Sequence, residues 1–279
     1  MNLDLLLWAL AGAILLQPVA QRRLLEAARR RLRRRIERER GSRVILLVHR
    51  EESMSLLGFN LMRFLDVQDS EEIVRAILQT APDVPIDLVL HTPGGLALPS
   101  LQIAKAVSRR KAPVTAFVPH YAMSGGTLIA LAADQIVMCE HAVLGPIDPQ
   151  VGDYPAGSVL RAVARKDDKD IDDDTLILAD QAAMAIAQLR RAVAALLAPT
   201  MRADIADAVA DQLSQGQWTH DYPITPEEAK GMGLPVSTDM PPAILEMMSL
   251  YPMPRRATPS VEYGRERERR SKPPAAKRD

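Results

Sequence analysis

The chain has 279 residues and a formal net charge of zero, from 35 basic and 35 acidic side chains; 47% of its residues are apolar and 25% charged. This composition excludes a disordered chain and suits one or two domains with a sizeable core. A single cysteine, Cys139, excludes an intrachain disulfide framework and a cysteine-based zinc cluster, and no two of the five histidines stand at HExxH spacing.

The zero net charge conceals an asymmetry. Residues 21–43 carry eleven Arg against three Glu, and residues 255–279 carry nine basic against four acidic side chains. The stretch 44–254 is left with 15 basic and 27 acidic residues, a net of −12. An acidic body does not suit nucleic acid, which is not expected as a partner.

In chain order, residues 1–20 come first, with a nearly unbroken apolar run from Leu5 to Leu16. With its flanks the run reaches the lower edge for a bilayer-spanning helix. Its only early charge is Asp4, and the arginines follow it, so a secretory signal is not matched. The positive-inside rule then puts the body on the cytoplasmic side of a membrane anchor. A buried or partner-binding helix, or a segment lying in the membrane interface, is the alternative. Residues 21–42 read as a basic helical stalk with Leu25, Ala28, Leu32 and Ile36 on one stripe. Its basic face suits anionic lipid headgroups; a plain solvated stalk is the other reading.

The body is expected over 43–252. Strands are expected at 44–48, 86–90, 114–118 and 135–139. Helices are expected at 70–80 (with Ser70 as N-cap), 99–110, 127–133, 175–197, 201–214 and 226–232. Strands alternating with helices give an α/β fold with a parallel sheet. The apolar face of the 175–197 helix (Ala182, Ala183, Ile186, Leu189, Val193, Leu196) is either core or an interface between copies. Residues 253–279 read as a disordered, basic, Pro-rich tail.

Two loops leave the carboxyl ends of expected strands and enter helices, where open α/β sheets place their sites. The first is Thr92-Pro93-Gly94-Gly95, whose glycines permit positive φ and close backbone approach. The second is Met123-Ser124-Gly125-Gly126. It puts a serine hydroxyl at a helix start, beside free N–H groups able to stabilise an oxyanion. Taken alone, each loop is a weak signal, and Ser124 reads as a plain helix N-cap.

The two loops, in this order, together with VPHYAMSGGTLIALAADQIVM, AVLGPIDPQ and WTHDYPIT, resemble the serine dehydrogenase proteinase family. That family sits within the Clp-protease/crotonase superfamily and is related to signal peptide peptidase A; the resemblance spans about residues 40–240. It implies repeated ββα/βα units and a serine peptidase with Ser124 as nucleophile. It also implies an oxyanion hole from the Gly94/Gly95 loop and the Gly125 amide. The family's order of Ser, Asp and His maps onto Ser124, Asp148 and His220. Relatives with a Ser–Lys dyad instead point to Lys166, about forty residues after the serine. Lys166 lies in RKDDKDIDDD, where aspartates raise rather than lower a lysine pKa, which favours His220.

The expected partners are peptide or membrane-protein substrates, membrane lipid and further copies of the chain. A catalytically silent scaffold holding peptides in the same groove is the rival reading. No GxGxxG loop follows any strand, and Asp168, Asp170 and Asp172 fail the calcium-loop pattern at Asp173 and Ala179. No cofactor or metal is expected.

Overall fold

The computed structural model describes the backbone of residues 3–50 and 64–251. The side chains of residues 3–16, Pro18 and Asp168 lie outside the description, and so does the expected tail over 253–279. The apolar side chains that suggested a membrane anchor are therefore largely outside it as well. Among the described residues, no helix is long and apolar enough to cross a membrane.

One helix, α1 (Leu3–Arg40), runs unbroken through the segments read as anchor and stalk. There follow β1 (Arg43–Val48), α2 (Val67–Leu78), β2 (Ile86–His91), α3 (Ala97–Ser108), β3 (Val114–Val118), β4 (Tyr121–Ala122) and α4 (Gly125–Ala130). Next come β5 (Gln135–Met138), β6 (Val143–Leu144), the short hairpin strands β7 (Gln150–Val151) and β8 (Tyr154–Pro155), and α5 (Ala156–Val163). The chain continues through α6 (Asp173–Leu197), α7 (Ala203–Ser214), α8 (Pro226–Gly231), β9 (Val236–Ser237) and α9 (Pro242–Ser249). The main sheet has the order β1-β2-β3-β5-β9, and every pair in it is parallel. The fold is thus mixed α/β with a parallel sheet.

The sheet is covered on both faces, which is why β2 is buried at all six positions, the polar Asp87 and His91 towards its two ends included. On one face, Leu88, Leu90, Ala116, Val118, Ile136 and Met138 belong to the larger core, with side chains from α2, α3, α4, α6 and α7. The other face carries the cross-strand row Val89, Phe117 and Val137. That row packs against Leu32 and Ile36 of α1 and against Ile244, Met247 and Met248 of α9. The segment read as a stalk is therefore docked through its apolar stripe. Its end is fixed by Arg40, whose guanidinium pairs with the buried Asp87 carboxylate at 2.5 and 3.2 Å, while the Ser42 hydroxyl donates to Asp87 at 2.6 Å.

Two local expectations are corrected. Ser70 does not cap α2: Asp66 does, accepting from the Asp69 amide, while Asp69 accepts from the Asp66 amide in return. The reciprocal box satisfies two helix-end donors at once, which a lone serine one turn later could not do. On α6, Ala182, Leu189, Val193 and Leu196 are buried within the chain, the last three in the same core as α7 residues Ala206, Val209, Ala210 and Leu213. Most of that face is therefore core, while Ala183 is exposed and Ile186 only partly buried.

Candidate active site

The site is assembled at the carboxyl edge of the sheet. Ser124 sits between β4 and α4 with φ 49° and ψ −116°, and it has the only positive φ among the described non-glycine residues. The Gly126 amide donates to the Met123 carbonyl at 2.7 Å, closing a four-residue turn. These angles put Ser124 at the first central position of a type II′ turn, a place dominated by glycine. The side chain makes no capping hydrogen bond, so the N-cap role that competed for this serine is not taken. A strained backbone at a half-buried serine between a strand and a helix resembles a nucleophile elbow. Ser124→Gly should relieve the strain and raise stability by about 1 kcal/mol. That corresponds to roughly 2–4 °C in Tm, measurable by thermal unfolding of both proteins.

The two glycine loops meet at this serine. A Cβ on Gly94 would lie 2.7 Å from both Ser124 Cβ and the Met123 carbonyl oxygen, so only glycine permits the approach. A Cβ on Gly125 would lie 2.1 Å from Ser100 Oγ and 3.6 Å from the Gly95 nitrogen, which brings the second loop against the first. The three expected oxyanion residues then divide. The Gly94 amide is spent on Thr92 Oγ1 at 3.0 Å, so Gly94 contributes proximity and not a donor. The amides of Gly95 and Gly125 donate to no acceptor among the described residues. Two free N–H groups beside a strained serine can receive negative charge developing on an attacked carbonyl oxygen.

Asp148 and His220 are 72 residues apart in sequence and hydrogen-bonded in space, Asp148 Oδ1 to His220 Nδ1 at 2.7 Å. Three contacts bring them together. Leu144 and Ile224 exchange both backbone hydrogen bonds, at 3.0 and 2.9 Å, and the Ile147 amide donates to the Leu213 carbonyl at 2.8 Å. Trp218 stacks on Tyr222 with ring centroids 4.9 Å apart, and the Tyr222 hydroxyl donates to Glu228 at 2.7 Å. Glu228 in turn closes a capping box with Thr225 at the start of α8. The loop that carries His220 is thereby pinned at both ends. Thr127 links this half to the nucleophile turn: its hydroxyl donates to Ala122 and accepts from Gly145, at 2.7 and 2.9 Å.

The Asp148 side chain is 1% exposed and that of His220 37%. The bond to Asp148 raises the His220 pKa above its ordinary 6.5; burial opposes the shift, and the charges of Asp148 and Asp221 add to it. With Nδ1 committed to Asp148, Nε2 remains to accept a proton. No hydrogen bond joins His220 to Ser124 Oγ in this structure; catalytic contacts of this kind often close only on substrate binding.

Lys166 is not brought to the site by any contact. It is exposed after α5, in the acidic stretch whose Asp172 caps α6 by accepting from the Thr175 amide at 2.9 Å. His91 and His120 pack edge to face, with centroids 5.3 Å apart, behind the glycine loops. Burial, reinforced by Arg50, His120 and His49, pushes the His91 pKa down to about 3, so it is a neutral packing residue. Reasoning from sequence passed over two residues that hold the site, Thr92 and Gln150. Thr92 Oγ1 accepts the Gly94 amide and lies 2.8 Å from His49 Nδ1. Gln150 Nε2 donates to Asp148 Oδ2 at 2.8 Å. Neither carries a local signal beyond its place next to a motif residue.

Among the described residues, no group of three or more His, Cys, Asp or Glu side chains could hold a metal ion. The arrangement suits acyl transfer by a hydroxyl nucleophile.

Comparison with known proteins places the chain in a family. The chain is 47% identical over 262 residues to an uncharacterized protein of Methanocaldococcus jannaschii, covering 94% of this chain and 89% of that one. A second uncharacterized protein of the same organism is 48% identical over 260 residues, covering 93% and 91%. Among solved structures, ClpP1 from Listeria monocytogenes is similar at 13% identity and a TM-score of 0.46, over 71% of this chain and 92% of that one. The model of the ClpP-like SDH-type serine proteinases matches residues 1–274. The chain belongs to the family of ClpP-like SDH-type serine proteinases.

Proposed function

We propose that this protein is a membrane-associated serine endopeptidase working through an acyl-enzyme on Ser124. The observation that carries the reading is the buried Asp148 carboxylate bonded to His220 Nδ1, in the half of the site that Thr127 ties to the glycine-type turn holding Ser124. In this scheme Ser124 Oγ attacks the peptide carbonyl carbon and His220 Nε2 takes the hydroxyl proton. The Gly95 and Gly125 amides hold the oxyanion. His220 then passes its proton to the departing amine. A water, deprotonated by the same imidazole, attacks the ester and releases Ser124. Asp148 keeps the imidazole in the tautomer that leaves Nε2 unprotonated before attack.

A fluorophosphonate probe tests this on the full-length chain. The expected result is a single adduct that peptide mass spectrometry maps to Ser124. The rival, a catalytically silent scaffold, is favoured by the missing bond between Ser124 and His220, and it would give a folded protein without adduct.

The apolar run of Leu5–Leu16 followed by arginines supports association with a membrane, the body facing the cytoplasm. The arginines add attraction to anionic headgroups, and several copies in one oligomer would anchor together. The full-length chain should sediment with membranes in high salt and be released by detergent, since apolar insertion is not screened as charge is. Release by salt alone would assign the contact to the basic half of α1.

A further inference from the structure

We propose that Gln150 is a positioning residue that acts on His220 through Asp148: its side-chain amide holds Oδ2 and draws off part of the carboxylate's charge, while Oδ1 takes the ring N–H. The inference rests on the reading of Ser124, Asp148 and His220 as the working group. Gln150 opens the β7–β8 hairpin, two residues after Asp148, and its backbone is held by pairing with Pro155. From there Nε2 reaches Asp148 Oδ2 at 2.8 Å. The carboxylate therefore has one oxygen on His220 and the other on Gln150, with its side chain 1% exposed.

The same Nε2 lies 3.3 Å from His220 Nδ1. That contact is not a hydrogen bond in the working tautomer. Nδ1 carries the proton it gives to Asp148, and an amide N–H cannot donate to it. Two donors, one from the amide and one from the ring, thus converge on one carboxylate from adjacent positions. The donated N–H withdraws part of the carboxylate's negative charge from the imidazole. The charged groups acting on His220 are Asp148 and Asp221, and Gln150 tempers the nearer one.

Removing the donor while keeping the chain length has a signed consequence. In Gln150→Met the Asp148 charge is felt in full by the ring, so the imidazolium is favoured. The midpoint of the His220 titration should rise by about 0.5–1 pH unit relative to wild type. ¹³C-labelled histidine NMR on the full-length chain reads this directly: the five ring signals are few, and His220→Ala identifies the relevant one. Gln150→Leu is the second variant, should the first unfold. The pH at half-maximal fluorophosphonate labelling should move upward by the same amount, while Tm stays within about 3 °C.

A residue that merely packs would lower Tm or amplitude without moving the midpoint. A His220 midpoint unchanged or lowered in a folded variant overturns the proposal, whatever the rate does. The NMR readout does not depend on catalysis. If wild type gives no adduct at Ser124 but the His220 midpoint still rises, the peptidase reading fails while the coupling of Gln150 to Asp148 and His220 stands.

Discussion

Peptide hydrolysis by Ser124→Ala is expected to fall by about 10⁵–10⁶-fold, to what the oxyanion donors and substrate binding alone supply. Every covalent step of the proposed reaction passes through this hydroxyl, so no neighbouring group can replace it. The substitution removes one oxygen from a side chain that makes no capping bond, and it leaves the turn's backbone strain in place. Stability should therefore change little, in contrast to Ser124→Gly, which should be equally inactive and more stable. Initial rates on a fluorogenic peptide and gel-based fluorophosphonate labelling measure the loss. Thermal unfolding shows that the fold is intact. Equal labelling of wild type and Ser124→Ala would end the assignment of Ser124 as nucleophile.

His220→Ala is expected to lower the rate by at least ~10²-fold, the contribution of a positioned general base. Lys166→Ala should leave it within a few-fold, since that side chain is exposed and has no contact with the serine turn. The reverse pattern would establish a Ser–Lys dyad and retire the Asp148–His220 pair. The pH dependence carries the same assignment. The base works as neutral imidazole, and Asp148 raises its pKa above 6.5, so the rate of the free enzyme should fall as pH drops through a value above 6.5. Stability runs in the opposite sense. A histidine whose folded pKa is raised contributes stability that is fully present below the unfolded value and lost as pH rises through the folded value. The site is thus most active where this pair stabilises the fold least, and titrating the labelling rate and Tm on one sample tests both signs.

Much of this protein was legible as sequence because the relevant signals are local. The β3 strand lies at 114–118 as expected, and α6 and α7 lie within two residues of their expected bounds. Apolar periodicity and flanking turn residues fix such elements before any long-range contact forms. The glycine pairs after Thr92 and Ser124 could be read as sites for the same reason: close backbone approach excludes a Cβ whatever the surroundings. The stripe of Leu25, Ala28, Leu32 and Ile36 was visible, but what it packs against was not. That helix rests on the far face of the sheet with α9, more than 200 residues away in the chain.

Tertiary structure alone decided three further matters. It separated the donors in the glycine loops, because Thr92 takes the Gly94 amide, while those of Gly95 and Gly125 meet no acceptor among the described residues. It turned Leu189, Val193 and Leu196 of the apolar α6 face into core by laying α7 across them. It also set the two candidate bases in different surroundings. The Leu144–Ile224 pairing carries His220 to Asp148, while Lys166 stays in solvent. The physical reason is common to all three. Residue type and spacing determine which groups can do chemistry, but a hydrogen bond between residues 72 positions apart depends on how intervening elements pack, and no local pattern encodes that distance.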